Sequence, residues 1–457
     1  MAPSPGRQWS TAGPGRWLLA LLAVLVVVAA FLPGFVPQVA PGRAGTADRA
    51  ERVDVSPGAT AEDLVPGVPF RGTVPGAALT ADDRVVLAIL ADLQRFWTDE
   101  LGELDTPTGG YAAVGVGATG SDVLCLGGDD TISFNAYYCH DEDGIVWDAT
   151  SLVPSLRARS GDAGLASALA HEFGHAVQAR LRPEMFDRDT PTLITEAQAD
   201  CAAGAFLAWA AEGGTEHLRL GQDSMARALT PVLDLADPPG VDVLDPAAHG
   251  SAVDRATAWL TGARDGTAAC WELGDELLGR STLNVGGGVA GDSGTDPAAA
   301  RSARSSDEII TAGTRSAAAF ADRVGLGGSV DADRIAPEHA PGVPDVDTAR
   351  RIGTFAPAAA AVQRVGFERI GSRPGAACFL GAWTAWTTES GWTLVSDAGL
   401  GSGASPGRDP EQLGTVPGDA DQALRLLSRE PGVRLTELSG FVTGFQDGYD
   451  PGIRACQ

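Results

Sequence analysis

Two short runs constrain this chain more than anything else in it. They are His171-Glu172-Phe173-Gly174-His175 and, after twenty intervening residues, Glu196-Ala197-Gln198-Ala199-Asp200. The first lies inside Ala166–Gln178, an Ala/Leu-rich stretch with the composition of a helix. On a helix His171 and His175 stand at i and i+4 and share a face, so both imidazoles reach one divalent ion, with Glu172 beside the open coordination position. A hydrolytic metal needs a third protein ligand. The intervening residues suffice to end one helix, turn and return antiparallel, which brings Glu196 to the imidazoles as that ligand. Asp200 lies one turn further on, where a carboxylate can accept a hydrogen bond from the far nitrogen of a ligand histidine. Cys201 is about 140° round the helix from Glu196 and faces elsewhere.

The rest of the chain reads as an α+β, mainly helical fold with a small sheet ahead of the metal helix. Thr80 and Asp83 form a capping-box start, and Val85, Val86, Ile89, Leu90, Leu93, Phe96 and Trp97 then recur on one helical face. Short β-prone pieces follow at 111–116, 123–126, 132–138 and 145–147, separated by Gly/Asp turns. The metal helix is expected to begin after Ser160-Gly161-Asp162 and to stop at Arg182-Pro183, with a second helix from near Thr195. A third, over 223–235, is expected to be cut short by Pro231, and a fourth spans 251–262. Helical patterning returns over 307–324, 347–365, 376–387, 419–428 and 435–445, with Trp383, Trp386 and Trp392 as core candidates. No repeat period stands out, and no chemistry stands out in this last third.

Composition bounds the compartment and the partners. The 457 residues, 44% of them hydrophobic, support two or three domains with sizeable cores. A net charge of −26 with no basic stripe excludes a nucleic-acid partner. Arg7 and Arg16 precede an apolar run from Trp17 to Leu32 that is closed by Pro33 and Pro37. As a helix that run measures about 24 Å, just short of a roughly 30 Å hydrocarbon core. The positive-inside rule leaves the N-terminus in the cytoplasm and everything later outside. Ala29 and Ala30 suit signal cleavage but the two prolines do not, so the reading is an uncleaved single-pass membrane anchor, with secretion after cleavage as the alternative. The organisation expected is a cytoplasmic tail (1–15), an anchor (16–37), a flexible stalk (38–75), a catalytic-type domain (76–275), a mobile insertion (276–306) and a helical C-terminal region (307–457). Six cysteines in an oxidising compartment imply disulfides. Fifteen pairings are possible. Chain proximity favours Cys125 with Cys139, and domain membership favours Cys201 with Cys270 and Cys378 with Cys456. A thiolate metal site has no C-x-x-C spacing to support it.

The metzincin continuation is absent, since Gln178 and Leu181 stand where that pattern has Gly and His. Instead, His171 through Gln178 and Glu196 through Cys201 closely resemble the H-E-x-G-H-x-V-Q and E-L-Q-A-D-C signatures of the neutral zinc metallopeptidase family of bacteria, with Ala197 in place of Leu. Asp92 to Trp97, Asn135 to Cys139, Ile145 to Asp148 and His249-Gly250-Ser251 with Asp254-Arg255 add to the likeness, which covers roughly 80–275. The C-terminal third is only vaguely similar, to actinobacterial members.

The resemblance implies a zincin-like peptidase domain of gluzincin type, with Zn2+ held by His171, His175 and Glu196, and Asp200 behind a ligand histidine. Glu172 is then the general base that takes the proton of a water attacking a polarised peptide carbonyl. His249, before a helix in a Gly/Ser-marked turn, is the candidate oxyanion donor by analogy with thermolysin-like enzymes, and Asn135-Ala136 is the candidate edge strand for an extended peptide or protein substrate. The function expected is zinc-dependent peptide hydrolysis at the extracytoplasmic surface. The alternative is a catalytically silent, zinc-stabilised module whose C-terminal region binds a partner. His140, His217 and His339 read as surface residues, and the oligomeric state is open.

Overall fold

The computed structural model describes residues 51–72, 79–102, 109–115, 124–126, 132–186, 190–238, 241–281, 305–326, 352–389, 418–430 and 432–446, together with Pro107, Ala349 and Cys456. A four-stranded sheet has the order β2-β3-β5-β4. It is built from β2 (Phe70–Gly72), β3 (Gly110–Val114), β4 (Ala136–Cys139) and β5 (Gly144–Asp148). β2, β3 and β5 run parallel, and β4 returns antiparallel to β5 at the edge. Every residue of β3 and β5 is buried, as inner strands covered on both faces require. The β-prone stretch 123–126 is described only from Leu124 and is not a strand there. Over 124–126 it is a turn, with Cys125 at φ +65° and bonded to Cys139 on β4.

α1 (Ala61–Leu64) precedes the long helix α2 (Ala81–Leu101), which opens with the expected capping box between Thr80 and Asp83. Its apolar stripe from Val85 to Trp97 is buried. α3 (Leu152–Leu181) carries the two histidines and begins earlier than the sequence suggests, because a first segment runs into a break at Gly161. That residue has φ +68°, and a side chain there would run into the Glu51 carboxylate. Glu51 Oε1 accepts the Ala163 amide at 2.9 Å and so caps the half of α3 that holds the site. Its other oxygen pairs with Arg227.

The flexible stalk expected over 38–75 is corrected over 51–72. β1 (Arg52–Val53) pairs with β6 (Leu218–Arg219), β2 joins the sheet, and Glu51 caps α3. The Pro/Gly-rich composition there marks turns rather than absence of order. Residues 38–50, the tail and the apolar run all lie outside the described residues. Among the described residues no helix is long and apolar enough to cross a membrane.

α4 (Thr192–Ala211) carries Glu196 and packs along α3. α5 (Gln222–Asp234) is not cut short at Pro231 but runs through it to Asp234, with one i→i−4 hydrogen bond given up in its last turn. α6 (Ala252–Asp265) starts on a Ser251–Asp254 capping box, and the short α7 (Thr267–Cys270) and α8 (Glu276–Arg280) follow. The insertion expected over 276–306 therefore begins as helix, and residues 282–304 lie outside those described. α9 (Ser306–Arg323), α10 (Ala356–Ile370), α11 (Arg373–Glu389), α12 (Gly418–Ser428) and α13 (Leu435–Gln446) complete a mostly helical α+β chain. These C-terminal helices are not a region apart. One continuous core runs from Leu64 through Trp259 to Trp383 and Trp386 and on to Cys456. Trp392 lies outside the described residues. All three expected disulfides are present, at Cys125–Cys139, Cys201–Cys270 and Cys378–Cys456.

Candidate metal centre

His171 and His175 lie one turn apart on α3, and α4 comes close enough to face them because Gly174 sits between their turns. A Cβ on Gly174 would stand 3.1 Å from Ala199 Cα. The two Nε2 atoms are 3.2 Å apart. Glu196 reaches both, with Oε2 at 3.1 Å from His171 Nε2 and Oε1 at 3.4 Å from His175 Nε2. One donor atom from each of the three lies within 4.8 Å of the others, and all three residues are buried or nearly so. Glu196 Oε2 is fully buried yet has no partner with hydrogen-bond geometry. Two imidazole nitrogens and an orphaned carboxylate oxygen converging on one point fit a divalent cation, and the set could hold a metal ion.

The far side of each imidazole is fixed. His171 Nδ1 lies 2.8 Å from Asp200 Oδ1, as the sequence expects. Asp200 is itself gripped at 2.8 and 2.9 Å by Arg255 from α6. His175 Nδ1 lies 2.8 Å from Gln178 Oε1, and the Gln178 amide donates to Thr195 O at 2.9 Å and to Gln198 Oε1 at 3.1 Å. Both Nδ1 atoms are therefore engaged by oxygens, which directs both Nε2 atoms to the shared point. Burial alone would raise Asp200, but Arg255 and then His171 hold its carboxyl below the usual range. Burial would likewise raise Glu196, and the two histidines drive it well below. Burial works against an imidazolium at His171, but Asp200 and Glu196 outweigh it and lift the group to about 10 before any metal enters. The Glu196 and Asp200 carboxylates thus favour positive charge at the imidazoles.

No protein-family model, curated protein or solved structure matches this chain.

Glu172 stands on α3 between the ligands, and its Oε2 accepts the Tyr138 amide of β4 at 2.9 Å. Burial raises its pKa, although His171 and His175 pull the other way. His249 is not buried; its side chain is 48% exposed. Asp237 Oδ2 accepts the amides of both His249 and Gly250, and Asp237 Oδ1 lies 3.7 Å from His249 Nδ1. Desolvation lowers the His249 pKa, but Asp237 and the charge of Glu196 raise it overall, so the imidazole feels the centre's field. Ala136 lies on the edge strand as expected. Asn135 precedes that strand, and its Oδ1 takes the Ala136 amide at 2.9 Å, which caps the strand. Sequence reasoning did not assign Arg255, Gln178 or Asp237. Arg255 and Gln178 were in view only as motif letters, and Asp237 carries no signal beyond an Asp-Pro-Pro turn twelve residues before His249.

Proposed function

We propose that this chain is a zinc-dependent peptidase of gluzincin type. The observation that carries the reading is Glu172, a part-buried carboxylate set beside three converging metal donors and held by the backbone of an edge strand. A purely structural site has no use for a base there. The chemistry supplied by zinc when bound is Lewis acidity, which polarises a carbonyl and acidifies water from about 15.7 toward about 7.

The chain's own residues do the rest. Glu172 takes the proton from the attacking water and later delivers it to the leaving amine. Its Tyr138 hydrogen bond fixes one oxygen and leaves the other for that transfer. Among the described residues the outer edge of β4 has no strand partner, and an extended peptide lying along it would pair with the Ala136 and Tyr138 carbonyls, the amides being held by Asn135 and Glu172. His249, steadied by Asp237, is the donor to the oxyanion. Three disulfides suit a protein that works outside the cytoplasm, at the cell surface or secreted.

The test pairs elemental analysis with a peptide-library cleavage assay on the full chain. Wild type is expected to carry zinc and cleave. Glu172→Gln keeps the zinc and loses about 10²-fold or more in kcat. A zinc-loaded wild type that cleaves nothing the variant spares would falsify the enzyme reading, and full zinc occupancy in Glu196→Ala would remove that residue from the ligand set.

A further inference from the structure

The α4/α6 pair that frames the metal centre has a counterpart in the C-terminal third. On α4, Cys201-Ala202-Ala203-Gly204-Ala205 is followed by Ala208-Trp209; on α11, Cys378-Phe379-Leu380-Gly381-Ala382 is followed by Ala385-Trp386. On α6, Trp259-Leu260-Thr261-Gly262 matches Phe441-Val442-Thr443-Gly444 on α13. The packing matches residue for residue. A Cβ on Gly204 would strike Trp259 O, and one on Gly262 would strike Cys201 O. A Cβ on Gly381 would strike Phe441 O, and one on Gly444 would strike Cys378 O. In each pair a disulfide runs from the first helix to a cysteine beyond the second, Cys201–Cys270 and Cys378–Cys456.

The helices in front agree as well. Gly174 of α3 lies against Ala199 and Ala202, and Gly366 of α10 lies against Phe379, the counterpart of Ala202. This register sets Gln363-Arg364-Val365-Gly366-Phe367 over His171-Glu172-Phe173-Gly174-His175, and the α11 register sets Arg373 over Glu196. We infer that α10, α11 and α13 are a second copy of the α3, α4 and α6 unit that builds the metal centre, one in which every metal-binding position and the general base have been replaced.

The replacements form a polar centre that carries its own cation. Arg373 donates to Glu437, the counterpart of Arg255, with Nη2 at 2.8 Å from Oε2, and its Nη2 also lies 3.3 Å from Glu430 Oε2. Gln363, Glu430 and Glu437 are all buried. An arginine where the first copy has an anionic ligand, paired with a glutamate where the first copy has an arginine, reverses the polarity and provides internally the positive charge a metal would bring. Arg364 at the base position cannot accept a proton. A cavity of about 300 Å3 lined by Arg373, Pro374, Gly432, Arg434, Thr436 and Glu437 opens over this centre. The counterparts of its lining, Glu196, Ala197, Gly250, Ala252, Asp254 and Arg255, lie at the metal centre or at the start of α6 beside it.

Part of this inference rests on the metal reading, and its test moves the metal from one copy to the other. In the full chain, His171→Ala with His175→Ala is expected to lower zinc content from about one per chain to none. Adding Gln363→His, Phe367→His and Arg373→Glu to that background restores about one. A folded five-substitution variant that takes up none overturns the equivalence, whereas a zinc ion that survives the first two substitutions overturns the metal reading and leaves the equivalence to be decided by superposition. If that variant does not fold, a crystal structure of wild type decides. The Cα atoms of 171–175, 196–205 and 254–263 should superpose on 363–367, 373–382 and 436–445, and Gln363 or Arg373 falling elsewhere than on His171 or Glu196 overturns it equally. Wild type without zinc is a separate failure, that of the metal reading, and leaves the superposition intact.

Discussion

Arg255 grips both carboxylate oxygens of Asp200, and Asp200 in turn holds His171 Nδ1. Both residues are buried, so neither charge can be released to water. Arg255→Met is therefore expected to cost about 3 kcal/mol or more of stability by leaving Asp200 unpaired, and to weaken zinc binding about 10- to 100-fold by freeing the His171 ring. Denaturant midpoints and chelator competition measure the two effects. Unchanged zinc affinity in a destabilised variant would show that Arg255 serves the fold alone.

Metal removal has a stability signature of its own. The donor set is preformed in the fold and absent from the unfolded chain, so zinc at about 100 times its dissociation constant should add about 2.7 kcal/mol. Thermal unfolding of the zinc-loaded chain is expected to fall on adding a strong chelator and to recover on adding zinc. In Glu196→Ala the chelator should make little difference; an equal drop in that variant would place the stabilising ion elsewhere.

Asp421 on α12 accepts the first-turn amides of α6, with Oδ1 at 3.2 Å from Val253 N, while Arg425 one turn on donates to Leu233 O at the end of α5 at 3.1 Å. An acid meets a helix N-terminus and a base meets helix C-terminal carbonyls, as the two dipoles favour. Between these ends lie Asp237 and His249. Asp421→Leu is expected to destabilise by about 1–2 kcal/mol, whereas Asp421→Asn, which keeps an acceptor, should cost much less. Amide exchange across 235–251 should quicken in the leucine variant first. Equal effects of Leu and Asn would refute the capping role.

Glu430 gives a pH dependence of known sign. Burial, opposed by Gln363 and Arg373 and aided by Glu437, pushes its pKa up to about 8, against about 4.3 in an unfolded chain. The folded state holds the extra proton between those values. Its contribution is therefore complete below about pH 4.3 and is lost as pH rises through about 8. Glu430→Gln cannot ionise, so the stability of wild type relative to this variant should decline between about pH 5 and pH 8 and level off above. Paired unfolding midpoints at about pH 5, 7 and 9 decide the matter, a constant gap counting against it.

The ligand geometry was legible in the sequence because it is local. Two histidines at i and i+4 and a glutamate one turn-around later are set by helix periodicity, and the Thr80 and Ser251 caps likewise. What supports the site was not legible, because it is assembled from afar. Arg255 reaches Asp200 from another helix, and Asp237 reaches His249 across a loop. The Pro/Gly composition of 51–72 concealed two strand pairings whose partners lie 41 or more residues onward. The second helical copy was not legible because His171, Glu172, His175 and Glu196, the residues with a chemical signature, are the ones it lacks.

The cap that Glu51 places on Ala163 has a consequence for how the molecule is made. The two residues are 112 positions apart, so the amide at the break in the helix that presents the histidines is capped only when a segment far earlier in the chain packs against it. Formation of the centre is thereby tied to long-range assembly rather than to helix growth, and a recombinant chain started after residue 51 would present the histidines on a helix with a bare end.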